Sequence, residues 1–170
     1  LETGTCWFTN TETGVHQEVK ADYVIGGDGA FSPVRDKMQR TNRFDYSQSY
    51  TNSGYKELSI AATEDGDFAM DPNALHIWPR GSFMMIALPN PDKTFTCTIF
   101  MPYEGETGFD NINTDEEILS FMSTYFNDAM KLMPTLLEDF KSNPVGSLVT
   151  VRCYPWNINK ATLIGDACHA

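Results

Sequence analysis

The sequence has few cysteines, a small share of cationic residues and no long apolar run. Its 170 residues include four cysteines, which lie far apart and form no Cys-x-x-Cys pair. Neither a zinc site nor a disulfide framework is therefore indicated. Twelve Lys and Arg stand against 23 Asp and Glu, which gives a formal charge of −11. The cations form no stripe, and a surface of this sign repels a phosphate backbone, so we expect no nucleic acid partner.

The apolar segments are also short. The longest, Phe83 to Pro89, is far below the ~20 residues that a membrane-spanning helix needs. The N-terminus has no basic region followed by an apolar core, so no secretory signal is indicated. The three histidines, His16, His76 and His169, lack the spacing of metal ligands. We therefore expect a chain that by itself is soluble, binds no metal and belongs in a reducing compartment.

Two segments combine an apolar strand with a turn of glycine and aspartate. Tyr23-Val24-Ile25 runs into Gly26-Gly27-Asp28-Gly29, and Leu163-Ile164 runs into Gly165-Asp166. A carboxylate after a buried strand can accept hydrogen bonds from sugar or ribityl hydroxyls, and glycine lets the backbone approach a phosphate. The pair predicts a cofactor site whose candidate residues are Asp166, Gly165, Asp28, Gly29 and Arg35. Two alternatives stay open: each motif can be an ordinary tight turn, and Asp28 can simply pair with Arg35.

Local patterns predict an α/β chain with a sheet inserted between two α/β ends. Residues 5–9 and 15–20 flank a turn and predict a hairpin. Ser32 and Pro33 predict a helix over 32–39, because serine caps a helix and proline fits its first position. Thr114 and Glu117 form a predicted capping box before a helical apolar pattern. A second helix is predicted over 128–139, with Pro134 as a kink or boundary. The predicted strands are 23–26, 55–61, 74–78, 83–88, 94–101, 147–153 and 161–164.

The two central strands carry an alternating apolar pattern. Met84, Ile86 and Leu88 share one face of the first strand, and Thr98 and Phe100 share one face of the second. If the strands are neighbours, these side chains form one apolar wall. Without further information, ordinary sheet core is the simpler interpretation of this pattern.

Several blocks of sequence, in the same order, resemble the kynurenine 3-monooxygenase family of single-component flavoprotein monooxygenases. Besides the two Gly and Asp turns, they are residues 43–50 (RFDYSQSY), 54–58 (GYKEL), 75–81 (LHIWPRG), 83–90 (FMMIALPN) and 94–100 (TFTCTIF). The resemblance extends from about Gly4 to Ala170. It distinguishes this family from flavin hydroxylases that share only the two cofactor turns.

The resemblance implies a fold, a reaction and a set of site residues. The fold is a partial FAD-binding, Rossmann-like domain, at 1–50 and 146–170, with an inserted antiparallel-sheet substrate domain at 51–145. The reaction uses FAD, NADPH and O₂ to hydroxylate L-kynurenine to 3-hydroxykynurenine. The flavin carries the difficult chemistry, so no catalytic side chain is assigned. The residues implied beside the substrate ring are Met84, Ile86, Leu88 and Phe100, with Thr98 as a pocket hydroxyl or a filler.

Complete members of this family also have a Gly-x-Gly-x-x-Gly turn upstream and a membrane-associating region downstream. We therefore expect this chain to be an internal piece, inactive alone, that meets a membrane only through regions outside it. The resemblance places the complete protein at the cytosolic face of the outer mitochondrial membrane. Two other functions stay open: a noncatalytic module whose sheet face binds a protein or a small apolar ligand, and a flavin hydroxylase of another aromatic substrate.

Overall fold

The computed structural model describes all 170 residues and divides them into two compact units. Unit 1 consists of Leu1–Tyr50 and Val149–Ala170, and unit 2 consists of Thr51–Leu148. The boundaries fall inside two long strands, β4 (Asp45–Ile60) and β8 (Gly146–Tyr154), so each strand contributes residues to both units. The model is a mixed α/β structure, as the sequence predicts.

Unit 1 contains a hairpin and a small three-stranded sheet. Strands β1 (Thr5–Thr9) and β2 (His16–Lys20) pair antiparallel and confirm the predicted hairpin. Its turn is held by the side chain of Asn10, which accepts hydrogen bonds from the backbone N–H groups of Glu12 and Thr13. This side-chain bonding is the reason asparagine favours turns.

The small sheet of unit 1 brings the two predicted cofactor turns to neighbouring strands. Its order is β3 (Val24–Gly26), β10 (Ala161–Leu163) and β9 (Asn157–Ile158). Strands β3 and β10 are parallel, with Leu163 opposite Gly26, so the turns that follow them leave the same edge of the sheet. Helix α1 (Pro33–Met38) follows β3 and begins at the predicted cap, since the Ser32 hydroxyl accepts from the N–H of Arg35. The core of this unit is small: Met38, Ala161, Leu163, Ala167 and Cys168.

Unit 2 is dominated by an antiparallel sheet. The order is β5 (His76–Arg80), β6 (Phe83–Pro89), β7 (Phe95–Pro102), β4 and β8. Strand β7 alternates strictly between buried and half-buried residues, which is the pattern of a sheet with one face in the core. The core face is made by Leu58, Ile60, Phe83, Met85, Ala87, Phe95, Cys97, Ile99 and Met101.

Three helices cover that core face. They are α2 (Asp115–Tyr125), α3 (Asn127–Met130) and α4 (Leu136–Ser142), and a 3₁₀ turn at Phe109–Asn111 precedes them. The predicted capping box is present: Thr114 accepts from the N–H of Glu117, and the Glu117 carboxylate accepts from the N–H of Thr114. The residues that the helices bury include Ile118, Phe121, Met122, Phe126, Ala129, Met133, Leu136 and Phe140.

Three elements differ from the sequence-based prediction. Strand β4 starts at Asp45, ten positions before the predicted start, because polar residues at 45–53 hid its two-residue period. The predicted helix over 128–139 is two helices, since Pro134 cannot donate within a helix and the chain turns between Met130 and Leu136. The residues after β10 form a 3₁₀ turn, Gly165–Ala167. No helix in the structure is long and apolar enough to cross a bilayer.

Candidate functional site

The first predicted cofactor turn, Asp28-Gly29, is fixed by its connection to helix α1. One carboxylate oxygen of Asp28 accepts a hydrogen bond from the backbone N–H of Val34 at 3.0 Å. Gly29 has φ of +80°, a conformation that residues with a side chain rarely adopt. A Cβ placed on Gly29 would meet no atom within 4 Å, so its backbone borders open space. Asp28 itself is exposed, and its second carboxylate oxygen is free.

The second turn, Gly165-Asp166, has the same character. Gly165 has φ of +59°, and a Cβ on it would also meet nothing within 4 Å. Asp166 is exposed and its carboxylate makes no hydrogen bond or ion pair within the chain. The turn is closed by the N–H groups of Cys168 and His169, which both donate to the carbonyl oxygen of Gly165. These hydrogen bonds therefore fix the backbone of the turn, and the Asp166 carboxylate stays free to bind a ligand.

The buried side chain of Arg35 connects the two turns through hydrogen bonds. Its side chain is 1% exposed and donates from Nη1 to the carbonyl oxygen of Ala167 and from Nη2 to that of Ala30. The predicted alternative, a pair between Asp28 and Arg35, does not form: Asp28 bonds to the Val34 backbone. One buried donor, Nε of Arg35, has no acceptor in the chain. Arg35 is thus placed to fix the geometry of both turns.

A chain of polar side chains continues from Arg35 along strand β4. The guanidinium lies 4.7 Å from the ring centroid of Tyr46, and Nη2 donates weakly to the Tyr46 hydroxyl at 3.4 Å. The Tyr46 hydroxyl donates to the side-chain oxygen of Gln48, whose amide nitrogen donates to the Tyr50 hydroxyl at 2.7 Å. Tyr46, Gln48 and Tyr50 lie on one side of β4 at intervals of two residues. This spacing is the only sequence signal that could have predicted the row of polar side chains.

The two turns fit the polar parts of a flavin nucleotide. An exposed carboxylate without a partner can accept from sugar or ribityl hydroxyls, as Asp166 and the free oxygen of Asp28 can here. Two glycine backbones beside open space permit the close approach of a pyrophosphate. The Nε of Arg35 is a buried donor without an acceptor in the chain, and such donors are costly when left unpaired.

The predicted apolar wall lies on the face of the unit 2 sheet that the helices do not cover. Met84 stands opposite Phe100 and Ile86 opposite Thr98 in the register of β6 and β7, so these side chains share one face. Met84 and Leu88 are 39% and 49% exposed, whereas the alternate residues Met85 and Ala87 are fully buried. The five predicted residues are therefore brought together, and they are not the core of this unit.

Several further side chains on this face escaped the sequence prediction, among them Glu57 opposite Thr98 and two large apolar ones. Tyr55 on β4 stands opposite Phe100, with ring centroids 6.3 Å apart. Ile77 on β5 stands opposite Ile86 and is 53% exposed. The period of two from Tyr55 and from Ile77 could have placed them, once the strand neighbours were known. We call the face formed by Tyr55, Ile77, Met84, Ile86, Leu88, Thr98 and Phe100 the open face.

The remaining titratable candidates have structural roles. His76 donates from Nε2 to the carbonyl oxygen of Asp71 at 2.9 Å and packs on Trp78 and Phe95, as expected for a strand histidine. Burial raises the pKa of the Cys97 thiol to about 12, so it stays protonated at physiological pH. No group of three His, Cys, Asp or Glu side chains is arranged to hold a metal ion.

Comparison with protein families identifies residues 2–170 as a match to the FAD binding domain family. Curated relatives include a kynurenine 3-monooxygenase from Christiangramia forsetii, 51% identical over 94% of this chain and 36% of the relative. Those from Dictyostelium discoideum and Sus scrofa are 53% and 45% identical over 91% and 92% of this chain. They are matched over 34% and 33% of their own length, so the chain spans about a third of these relatives.

Solved structures show the same fold at lower sequence identity. The tetrameric form of 2-methyl-3-hydroxypyridine-5-carboxylic acid oxygenase matches with a TM-score of 0.63 and 21% identity. The match covers 96% of this chain and 42% of that chain. An anhydrotetracycline hydroxylase, OxyS from Streptomyces rimosus, matches with a TM-score of 0.52 and 18% identity, over 99% of this chain and 31% of that one.

Proposed function

The chain belongs to the FAD binding domain family, and from this premise we propose that the intact protein is a kynurenine 3-monooxygenase. It would hydroxylate the aromatic ring of L-kynurenine with FAD as cofactor, NADPH as reductant and O₂ as co-substrate. The single observation that carries the proposal is the sequence identity of 43–53% to kynurenine 3-monooxygenases across nearly the whole chain. The two cofactor turns and the open face supply the chemistry that such an enzyme requires.

Unit 1 supplies the cofactor contacts in this proposal. Asp166 and Asp28 accept hydrogen bonds from hydroxyl groups of the flavin nucleotide, and Gly29 and Gly165 let the backbone come close to it. Arg35 is a positioning residue, because its Nη1 and Nη2 already donate hydrogen bonds to the carbonyl oxygens of Ala167 and Ala30. The bound flavin would take electrons from NADPH and transfer one oxygen atom of O₂ to the substrate.

Unit 2 supplies the surface for the substrate ring. The open face presents Met84, Ile86, Leu88 and Phe100 side by side, and burying an aromatic ring against them removes apolar area from water. Thr98 offers a hydroxyl between Ile86 and Glu57 on the neighbouring strands. An apolar surface with few polar groups suits the exclusion of water that oxygen transfer requires.

The relatives come from both bacteria and eukaryotes. If the source is eukaryotic, we propose that the intact protein lies at the cytosolic face of the outer mitochondrial membrane. Fractionation of cells that express the intact protein, with an outer-membrane marker, tests this location.

The activity is tested with the intact protein, FAD and NADPH under air. We expect L-kynurenine to stimulate NADPH oxidation and to yield 3-hydroxykynurenine by mass spectrometry. Other aromatic acids, such as 4-hydroxybenzoate and anthranilate, are tested in the same assay for comparison with kynurenine. Stimulation and hydroxylation with one of these but not with kynurenine would assign another flavin hydroxylase. A protein that binds no FAD and oxidises no NADPH would favour a noncatalytic binding module.

A further inference from the structure

Two of the four cysteines face each other beside the second cofactor turn. Val151 on β8 and Ala170 exchange both backbone hydrogen bonds, at 3.0 and 3.1 Å, and Arg152 and His169 form the next bridge. Cys153 and Cys168 come next on the two segments, and Cys168 there leaves the extended conformation, with φ of −110° and ψ of −32°. The thiol of Cys153 donates to the carbonyl oxygen of Cys168 at 3.2 Å. Both cysteines are reduced in the structure.

The contact between this pair brings the Cys153 sulfur within 3.2 Å of the backbone of Cys168. Opposite residues in regular antiparallel strands have Cα atoms about 4.5–5.5 Å apart, inside the range of about 4.4–6.8 Å found across disulfides, and Cys168 follows directly on such a bridge. Neither remaining cysteine has such a neighbour: Cys6 lies on β1 of the hairpin, and Cys97 lies in the core of unit 2. Cys153 is half-buried and Cys168 is 2% exposed, so an oxidant reaches Cys153 first.

We propose that Cys153 and Cys168 form a reversible, peroxide-driven disulfide that distorts the Gly165-Asp166 turn. Hydrogen peroxide would oxidise the Cys153 thiol to a sulfenic acid with release of water. The Cys168 thiol would then attack that sulfur, and a second water leaves as the S–S bond forms. Two thiols lose two electrons and two protons in total, and the peroxide is reduced to two waters.

The disulfide would act on the turn through Cys168. Its sulfur now contacts the carbonyl oxygen of Gly165 at 3.1 Å, and it must turn away from that oxygen to bond with Cys153. That rotation removes one of three contacts to the Gly165 oxygen, which also accepts from the N–H groups of Cys168 and His169. The S–S bond would also tie Cys168 to β8, so we expect a weaker hold on the turn that presents Asp166. Desolvation raises the pKa of the Cys153 thiol, and the charge of Arg35 partly offsets this effect. The raised pKa lowers the fraction of thiolate, which is the form that reacts with peroxide.

Peptide mapping of the intact protein tests the disulfide without reference to its cofactor. Trypsin cuts after Arg152 and Lys160, which places Cys153 and Cys168 on separate peptides. After hydrogen peroxide treatment and alkylation of free thiols, we expect a cross-linked pair of these peptides that dithiothreitol separates. The pair should be absent from Cys153→Ser and from Cys168→Ala, and present in the matched control Cys6→Ser. Cys153 found only as thiol, as sulfinic or sulfonic acid, or joined to another cysteine overturns the proposal.

The effect on the turn is tested on protein that has bound FAD. We expect peroxide to release flavin from wild type and from Cys6→Ser, and dithiothreitol with added FAD to restore it. Cys168→Ala should keep its flavin under the same treatment. Equal retention of flavin by the oxidised and reduced wild type, with the disulfide present, would overturn the proposed coupling to the turn.

Discussion

The guanidinium of Arg35 donates from Nη1 to the carbonyl oxygen of Ala167 at 2.9 Å, although 132 positions of sequence separate the two residues. The same guanidinium donates from Nη2 to the carbonyl oxygen of Ala30. One buried cation therefore holds both proposed cofactor turns of unit 1 through backbone oxygens. This arrangement explains why a residue with no access to solvent belongs to the candidate site.

Replacement of Arg35 by methionine should loosen both turns. The change keeps a long apolar stem but leaves the carbonyls of Ala30 and Ala167 without their donor, which costs on the order of 1–3 kcal/mol for each buried group. We expect a lower free energy of unfolding and weaker FAD retention in the intact protein, measured by chemical denaturation and by flavin release. Arg40→Met is the control, because Arg40 is exposed and lies two residues beyond the same helix. Equal losses in both variants would argue against a specific role for Arg35.

The two faces of the unit 2 sheet should respond differently to truncation. Met85 is fully buried against the helices, so Met85→Ala should lower the free energy of unfolding by about 2–5 kcal/mol. Ile86 is its neighbour on the open face, so Ile86→Ala should cost clearly less stability. It should instead raise the KM for kynurenine, by roughly tenfold or more, because several methyl and methylene contacts with the ring are lost. An unchanged KM in Ile86→Ala, with full activity, would remove the open face from the substrate site.

The capping box of helix α2 should give stability that depends on pH. Hydrogen bonds from the N–H groups of Asn113 and Thr114 hold the pKa of Glu117 below its usual 4.5. Because the folded state favours the carboxylate, the contribution is complete above pH 4.5 and disappears as pH falls through the lower folded pKa. The stability difference between wild type and Glu117→Gln should therefore shrink as pH falls below 4.5.

Two variants complete the test of this helix start. Glu116→Gln is the control, since Glu116 is exposed in the same turn and accepts no hydrogen bond. The stability difference between wild type and Glu116→Gln should not shrink in the same way as pH falls below 4.5. Thr114→Ala removes the other half of the box and should cost about 1 kcal/mol at neutral pH. A cost that is equal for Glu116→Gln and Glu117→Gln at every pH would contradict the capping assignment.

Local signals in the sequence were sufficient to predict the hairpin, the Ser32 cap, the capping box and most strands. These features depend on neighbours within a few residues, such as Ser32 and Arg35 or Thr114 and Glu117. The shared face of Met84, Ile86 and Leu88 was also predictable, because the two-residue period holds whichever strands are adjacent. The period alone favoured ordinary sheet core for these side chains, and the resemblance to the family was needed to predict a substrate wall.

Features that depend on distant contacts were not predictable. The acceptors of Arg35 are backbone oxygens, and no side-chain pattern marks a carbonyl such as that of Ala167. The early start of β4 at Asp45 depends on pairing, because its first residues are polar and carry no apolar alternation. The place of Tyr55 on the open face became clear only from its register with Phe100.

The most direct test of the cofactor site compares Asp166→Ala with wild type in the intact protein. Asp22→Ala is the matched control, because Asp22 is also an exposed aspartate of unit 1 and lies outside both turns. The quantities to measure are the Kd for FAD and kynurenine-stimulated NADPH oxidation. We expect Asp166→Ala to bind FAD much more weakly and to lose turnover, while Asp22→Ala keeps both. An unchanged Kd for FAD in Asp166→Ala would contradict the assignment of this turn to the cofactor.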